Sequence, residues 1–190
     1  MTQRVELAAV LDRLAIDSLI TDYAIAVDDG DWDGYRQLFA PGGRADYRSA
    51  GGIEGTGAEV ADWLAQMLRM FGMRQHLIVN RRIRFDLREQ DVGDIARIQA
   101  DYANPMRLAD RHRPDGADGP GGADAAEGAT EPAGADVPAD TAPDFECGGR
   151  YAFTAVRTHS GWQLRQVVVQ EKWRRQHWSA PGTQTGRPLS

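Results

Sequence analysis

Apolar side chains recur along the first part of the chain at the spacing of a helical face. Ile16, Leu19, Ile20, Tyr23 and Val27 fall at offsets of three, four, seven and eleven, which predicts an amphipathic helix from Ile16 onward. Asp28, Asp29 and Gly30 close it, and Asp31 can cap a short second helix carrying Trp32, Tyr35 and Phe39. Pro41, Gly42 and Gly43 end that helix. A third helix carries Val60, Trp63, Leu64, Met67, Leu68 and Phe71, with Gly72 as its stop. Beyond Gly72 the period drops to two. His76, Ile78 and Asn80 share one face of a predicted strand over residues 75–85, and Ala96, Ile98, Ala100 and Tyr102 share a face of the next. Two more strands, over residues 149–157 and 162–173, meet at a turn around Ser160 and Gly161, and a short strand over residues 45–48 completes the set. Three helices followed by a strand meander is an α+β order. It predicts a small cone: a curved antiparallel sheet wrapped on three N-terminal helices, with a pocket between the layers.

Residues 110–145 break both periods. They are dominated by Ala, Gly, Asp, Pro and Glu, and Phe145 is their only aromatic residue. Such a stretch buries too little apolar surface to offset its ordering entropy, so a low-complexity insertion joining two strands is expected. The chain of 190 residues suits one domain over residues 1–180 with a flexible tail over 181–190.

Most of the negative charge belongs to the insertion. The formal net charge is −6, but residues 110–145 hold nine Asp or Glu against two Arg, leaving the remainder near +1. A near-neutral body offers no basic stripe for nucleic acid. Lys172, Arg174 and Arg175, interleaved with Trp173 and Trp178, read as a strand end with a solvated face. The single cysteine, Cys147, excludes an internal disulfide and fits a reducing compartment. No apolar leader or run long enough to cross a membrane is present, so a soluble, cytoplasmic protein without membrane association is expected.

No phosphate-binding glycine pattern follows a strand, no nucleophile elbow occurs, and one histidine among scattered carboxylates makes a poor metal-ligand set. Neither a cofactor nor a metal is therefore expected. Of the four histidines, His159 falls at a turn, His112 in the insertion and His177 in the tail; His76 alone falls within a predicted strand. A buried, protein-satisfied histidine and a solvated capping carboxylate would explain His76 and Asp28 taken singly. Together they offer what proton transfer needs, an imidazole and a carboxylate that can fix its tautomer. Tyr23 lies five residues before Asp28 on the first helix, and Tyr47 on the short strand. Phenols can stabilise a developing enolate, although ordinary core packing would also account for them.

The stretch from Tyr23 through Asp28, Asp31, Trp32 and Asp33, continuing through Leu38, Phe39 and Pro41 to Ala45, Asp46, Tyr47, Arg48 and Ser49, resembles scytalone dehydratase, and Arg74-Gln75-His76 extends the likeness. It is also similar to the bile-acid 7α-dehydratases and the wider SnoaL-like group, which share the cone fold of ketosteroid isomerase and nuclear transport factor two. The resemblance covers most of residues 5–105 and 147–175, and the insertion has no counterpart in it. It implies that Asp28 and His76 form an acid/base pair. Tyr23 matches the catalytic tyrosine of the bile-acid enzymes, and Tyr47 the water-holding tyrosine of scytalone dehydratase. That enzyme's tyrosine directly before the aspartate is Val27 here, its second histidine is missing near Asn104 and Pro105, and Tyr151 occupies its asparagine position. These departures argue against scytalone itself as substrate.

The expectation is a cofactor-independent lyase that removes water from a hydroxylated carbonyl compound, polyketide-like or polycyclic. His76, Asp28, Tyr23 and Tyr47 would carry the chemistry, and Phe39, Trp63, Met67, Tyr102, Tyr151 and Phe153 would wall a pocket for a flat hydrophobic substrate. A cyclase or isomerase of the same fold is the enzymatic alternative, and a non-catalytic binding or dimerisation module the other. The resemblance further implies a homodimer or homotrimer.

Overall fold

The computed structural model describes residues 2–86, 89–109 and 142–176. Most of the predicted insertion and the whole predicted tail therefore lie outside the described residues. The chain runs α1 (Thr2–Asp29), α2 (Trp32–Gln37), β1 (Phe39–Asp46), a 3-10 turn (Arg48–Ala50), β2 (Glu54–Thr56), α3 (Gly57–Met67), a second 3-10 turn (Leu68–Met70), β3 (Phe71–Arg74), β4 (Leu77–Phe85), β5 (Ile95–Leu108), β6 (Phe145–Thr158) and β7 (Gly161–Gln176). The three helices cover one face of a seven-stranded sheet ordered β2-β1-β7-β6-β5-β3, with β4 also paired to β5.

The helical stripe Ile16, Leu19, Ile20, Tyr23 and Val27 is the buried face of α1. The helix starts earlier than its periodicity predicts, and Leu7, Val10, Leu11 and Leu14 on the added turns stay exposed. Its end is built by Gly30, whose φ of 71° suits only glycine without strain. Asp31 then caps α2 by accepting from the Gly34 N–H. Thr56 and Glu59 form a reciprocal capping box that starts α3.

Several boundaries differ from the sequence expectation. Phe39 opens β1 instead of extending the second helix, and Pro41-Gly42 falls where β1 loses register with β7. Tyr47 leaves the end of β1 and caps the first 3-10 turn. The third helix stops at Met67, and Phe71 and Gly72 belong to β3. The sheet is mixed, because β1 lies parallel to β7 while every other pairing is antiparallel. The last two long strands extend past both predicted ends, and Phe145 belongs to β6.

His76 is not inside a strand. Strands β3 and β4 pair with consecutive stretches of the same edge of β5 and are interrupted at Gln75 and His76. Gln75 keeps a sheet bond to the Pro105 carbonyl, whereas the His76 N–H turns away from β5 to a carboxylate on α1. On β5 the alternation Ala96, Ile98, Ala100 and Tyr102 is buried as expected, and the same parity continues to Asn104 and Met106. Two bulges on β7, one at Arg165 and one at Lys172, reset which residues face the helices.

Candidate active site

The last turn of α1 carries Asp28 to the gap between β3 and β4. Its Oδ2 accepts from the His76 backbone N–H at 2.7 Å, and its Oδ1 lies 2.5 Å from His76 Nδ1. One carboxylate thus holds both the backbone and the ring of His76. Arg74 fixes the other side, donating through Nε and Nη2 to the Asp28 carbonyl and through Nη1 to the Leu68 carbonyl. Its guanidinium answers the orphan carbonyl of the α1 C-terminus.

With Nδ1–H donated to Asp28, the lone pair of His76 lies on Nε2. Asn104 Nδ2 sits 3.1 Å from Nε2, an arrangement that fits donation to that lone pair. The amide's Oδ1 is buried and has no hydrogen-bond partner. Asn104 was not among the expected site residues, although the alternation of β5 continued by one more step puts it on the inner face.

All five tyrosines of the chain are buried in one region. Tyr23 stacks its ring edge against Tyr151 and Phe153, with centroids 5.6 and 5.4 Å away, and tilts against Tyr35 at 5.6 Å. Tyr102 and Tyr151 lie 4.5 Å apart. The Tyr23 and Tyr47 hydroxyls are hydrogen-bonded to each other. Burial pushes the phenol of Tyr23 far up, and the neighbouring tyrosines push it further. Burial also raises Tyr47, to about 12, and the hydrogen bond with Tyr23 works against that rise. Tyr47 lines the adjoining cavity whereas Tyr23 is fully buried, so Tyr47 is the better placed of the two to donate a proton to a bound molecule. Burial likewise raises Tyr35 and Tyr151.

A cavity of about 400 Å³ opens beside these groups. Tyr47, His76, Tyr102, Asn104 and Tyr151 provide its polar surface on one side, and Trp63, Leu64, Met67, Leu68, Phe71 and Met106 its apolar walls. Of the residues expected at the site, Trp63, Met67, Tyr102 and Tyr151 line this cavity together with His76 and Tyr47. Tyr23 does not: it is 0% exposed and lies behind Tyr47, to which its hydroxyl is bonded, and Tyr151. Phe39 packs on Tyr35, and Phe153 on Tyr23 and Tyr151, as core beneath the site. Cys147, Glu171 and Arg174 also line the cavity. Burial, then the charge of Glu171, raises the Cys147 thiol to about 12, which keeps it un-ionised near neutral pH. Arg174, read from sequence as part of a solvated strand end, is exposed there and also pairs with Glu171 and lies over the Phe145 ring.

Among the described residues, no group of three or more His, Cys, Asp or Glu side chains could hold a metal ion, and no helix is long and apolar enough to cross a membrane.

The fold is shared with solved structures of low sequence identity. A protein of Kribbella flavida superposes with a TM-score of 0.63 at 22% identity, covering 88% of this chain and 95% of its own. A scytalone dehydratase-like protein of Novosphingobium aromaticivorans gives 0.58 at 16% identity, with 100% of both chains covered. A hexachlorocyclohexane dehydrochlorinase, LinA type 3 of Novosphingobium barchaimii, gives 0.60 at 14%, covering 96% of this chain and 99% of its own. In sequence, an uncharacterized protein of Mycobacterium tuberculosis is 35% identical over 102 residues, which are 54% of this chain. The match spans 65% of that relative's length. The family model of the SnoaL-like domain matches residues 8–168, so the chain belongs to the SnoaL-like domain family.

Proposed function

We propose that the protein is a cofactor-independent lyase that eliminates water from a β-hydroxy carbonyl compound of polycyclic or polyketide-like character. The observation that carries this reading is the Asp28–His76 pair, with Nδ1 tied to the carboxylate and Nε2 at a largely apolar cavity, where substrate displaces the Asn104 amide from the lone pair. His76 Nε2 takes the proton from the carbon beside the substrate carbonyl, and the electron pair moves onto the oxygen as an enolate. Tyr47 donates to that oxygen, while Tyr23 orients Tyr47 and does not touch substrate. The enolate then re-forms the carbonyl, the carbon–carbon double bond forms, and the bond to the β-hydroxyl breaks. The departing oxygen collects the proton from Nε2 and leaves as water. Asn104 suits both states of the ring, since its Nδ2–H donates to the neutral Nε2 and its unpartnered Oδ1 can accept from the protonated one after the amide turns.

Similarity to a scytalone dehydratase-like protein and to a dehydrochlorinase supports an elimination. In both names a small group leaves as a double bond forms. The cavity of about 400 Å³ falls in the size range of small-molecule sites. General acid/base transfer contributes about two to four decades in rate.

The test is to incubate the protein and His76→Ala with a panel of hydroxylated cyclic ketones and follow mass. Loss of one water that vanishes in the variant is expected. Bound ketones whose mass never changes would point instead to isomerisation or to a binding role.

A further inference from the structure

A second polar cluster lines the same cavity and takes no part in the elimination. Strand β7 would present Trp173 to the cavity if it kept its alternation after Val167, Val169 and Glu171. The bulge at Lys172 prevents this: Glu171 pairs with Gly149, Trp173 with Gly148, and Arg174 with Cys147. Trp173 thereby turns to the outer face and packs over Gly148, where a Cβ would come within 2.3 Å of its ring. Arg174 and Gln176 take the inner face and line the cavity. Bulges beside ligand sites commonly re-aim a side chain in this way.

The pair so formed is held firmly. Glu171 Oε1 accepts from Arg174 Nε at 2.8 Å, and the Glu171 side chain is only 11% exposed. Arg174 Nη2 donates to the Ala50 carbonyl. Ser49 Oγ accepts from the Glu171 N–H and donates to the Val169 carbonyl, which joins the pair to the turn that follows Tyr47. Glu171 Oε2 has no hydrogen-bond partner among the described residues. The position across the sheet is also defined. Asn104, Cys147 and Arg174 form one row over β5, β6 and β7, and Tyr102, Gly149 and Glu171 form the next. Two strand spacings, roughly 10 Å, therefore separate the backbones that carry Asn104 and Arg174. Burial raises Tyr102 and Cys147, and the charge of Glu171 adds to both.

From this geometry we infer that Glu171 and Arg174 set substrate specificity by selecting a neutral ligand that carries a hydroxyl or other hydrogen-bond donor across β6 from the reacting carbonyl. The donor binds Glu171 Oε2. A carboxylate at that end meets a like charge on the largely buried Glu171, while Arg174, the one arginine or lysine among the described lining residues, is already paired with Glu171. The inference names the substrate class for the elimination proposed above and rests on that reading for which end reacts.

The test measures binding, so that it stands apart from turnover. Three probes differ only at the remote end: 1-tetralone, 6-hydroxy-1-tetralone and the 6-carboxylic acid of 1-tetralone, titrated against the fluorescence of the protein or by calorimetry. The wild-type protein should bind the hydroxy ketone about tenfold more tightly than 1-tetralone, and the acid most weakly. Glu171→Gln should remove most of the hydroxyl preference and raise affinity for the acid at least tenfold, because the Arg174 charge is released. Arg174→Gln in the same background should abolish that gain. The ranking should persist in His76→Ala, which separates recognition from chemistry. An unchanged ranking in Glu171→Gln, with circular dichroism showing an intact fold, overturns the inference even where elimination is observed. Failure of all turnover with the predicted ranking intact would overturn the elimination and leave the recognition standing.

Discussion

Replacing Asp28 with Asn isolates what the carboxylate does for His76. The wild-type side chain accepts two hydrogen bonds at once, from the His76 N–H at 2.7 Å and from Nδ1 at 2.5 Å. An amide of the same shape has one acceptor oxygen. If that oxygen keeps the backbone N–H, the NH2 group faces Nδ1 and the ring must take the opposite tautomer, with its proton on Nε2. The base is then blunted although the geometry is preserved. Hydrogen bonds to a charged acceptor contribute about 1.5–3 kcal/mol each. In Asp28→Asn both bonds become neutral ones and the bond to the ring reverses direction, so denaturant unfolding should show a loss of about 1–3 kcal/mol. The rate should fall by about two to four decades. The tautomer is directly readable from long-range proton–nitrogen correlation of the imidazole, assigned by the signals missing in His76→Ala. Wild type should show a protonated Nδ1 and Asp28→Asn a protonated Nε2. A variant that kept its Nδ1 proton, its stability and its rate would refute the assignment of Asp28 as the group that orients His76.

Further outcomes follow from the same geometry. Tyr47→Phe should lower the rate by about two to three decades, as for loss of one oxyanion donor, whereas Tyr23→Phe should cost less and act on kcat with KM little changed, since the buried Tyr23 hydroxyl bonds Tyr47 and does not line the cavity; equal losses in both variants would contradict the indirect role of Tyr23. Tyr23, Tyr35, Tyr47 and Tyr151 all hold their protons above the ordinary phenol range. Because the folded state then binds more protons than the unfolded one above about pH 10, their contribution is fully present below that pH and lost as pH rises, by about 1.4 kcal/mol per pH unit for each group. Tyrosinate absorbance should accordingly rise in one cooperative step together with loss of the far-ultraviolet circular dichroism; gradual ionisation near pH 10 in an intact fold would contradict the burial of the cluster. Gly148→Ala drives a Cβ to 2.3 Å from the Trp173 ring and should cost about 1–3 kcal/mol with a shifted tryptophan emission; an unchanged denaturation midpoint would argue against the Trp173 packing that the Lys172 bulge creates.

The parts of the fold legible in the sequence are those set by local periodicity. The stripe from Ile16 to Val27 and the alternation from Ala96 to Tyr102 each bury a face dictated by one element alone. The parallel pairing of β1 with β7 was not legible, because it joins residues 44–46 to residues 166–168 and leaves no trace in either local pattern. The break at His76 escaped for a related reason: residues 75–85 alternate passably as one strand, and only the Asp28 carboxylate, far away in sequence, explains why the His76 N–H leaves the sheet. The exposure of Arg174 at a strand end was legible, but its place at the cavity was not, because a bulge shifts parity without any residue that advertises it. Asn104 could have been found, since it keeps the parity of Tyr102 and is a polar residue on an otherwise apolar inner face.

The central claim is that His76 Nε2 removes a proton beside a bound carbonyl, and it is tested most directly by incubating the protein with 1-tetralone in heavy water and following the protons at C2 by NMR. This ketone carries no leaving group, so exchange reports the first step alone. Accelerated exchange at C2 that disappears in His76→Ala and is strongly reduced in Asp28→Asn is the predicted result. A ketone that binds the wild-type protein without exchange, or exchanges equally fast in His76→Ala, would contradict it.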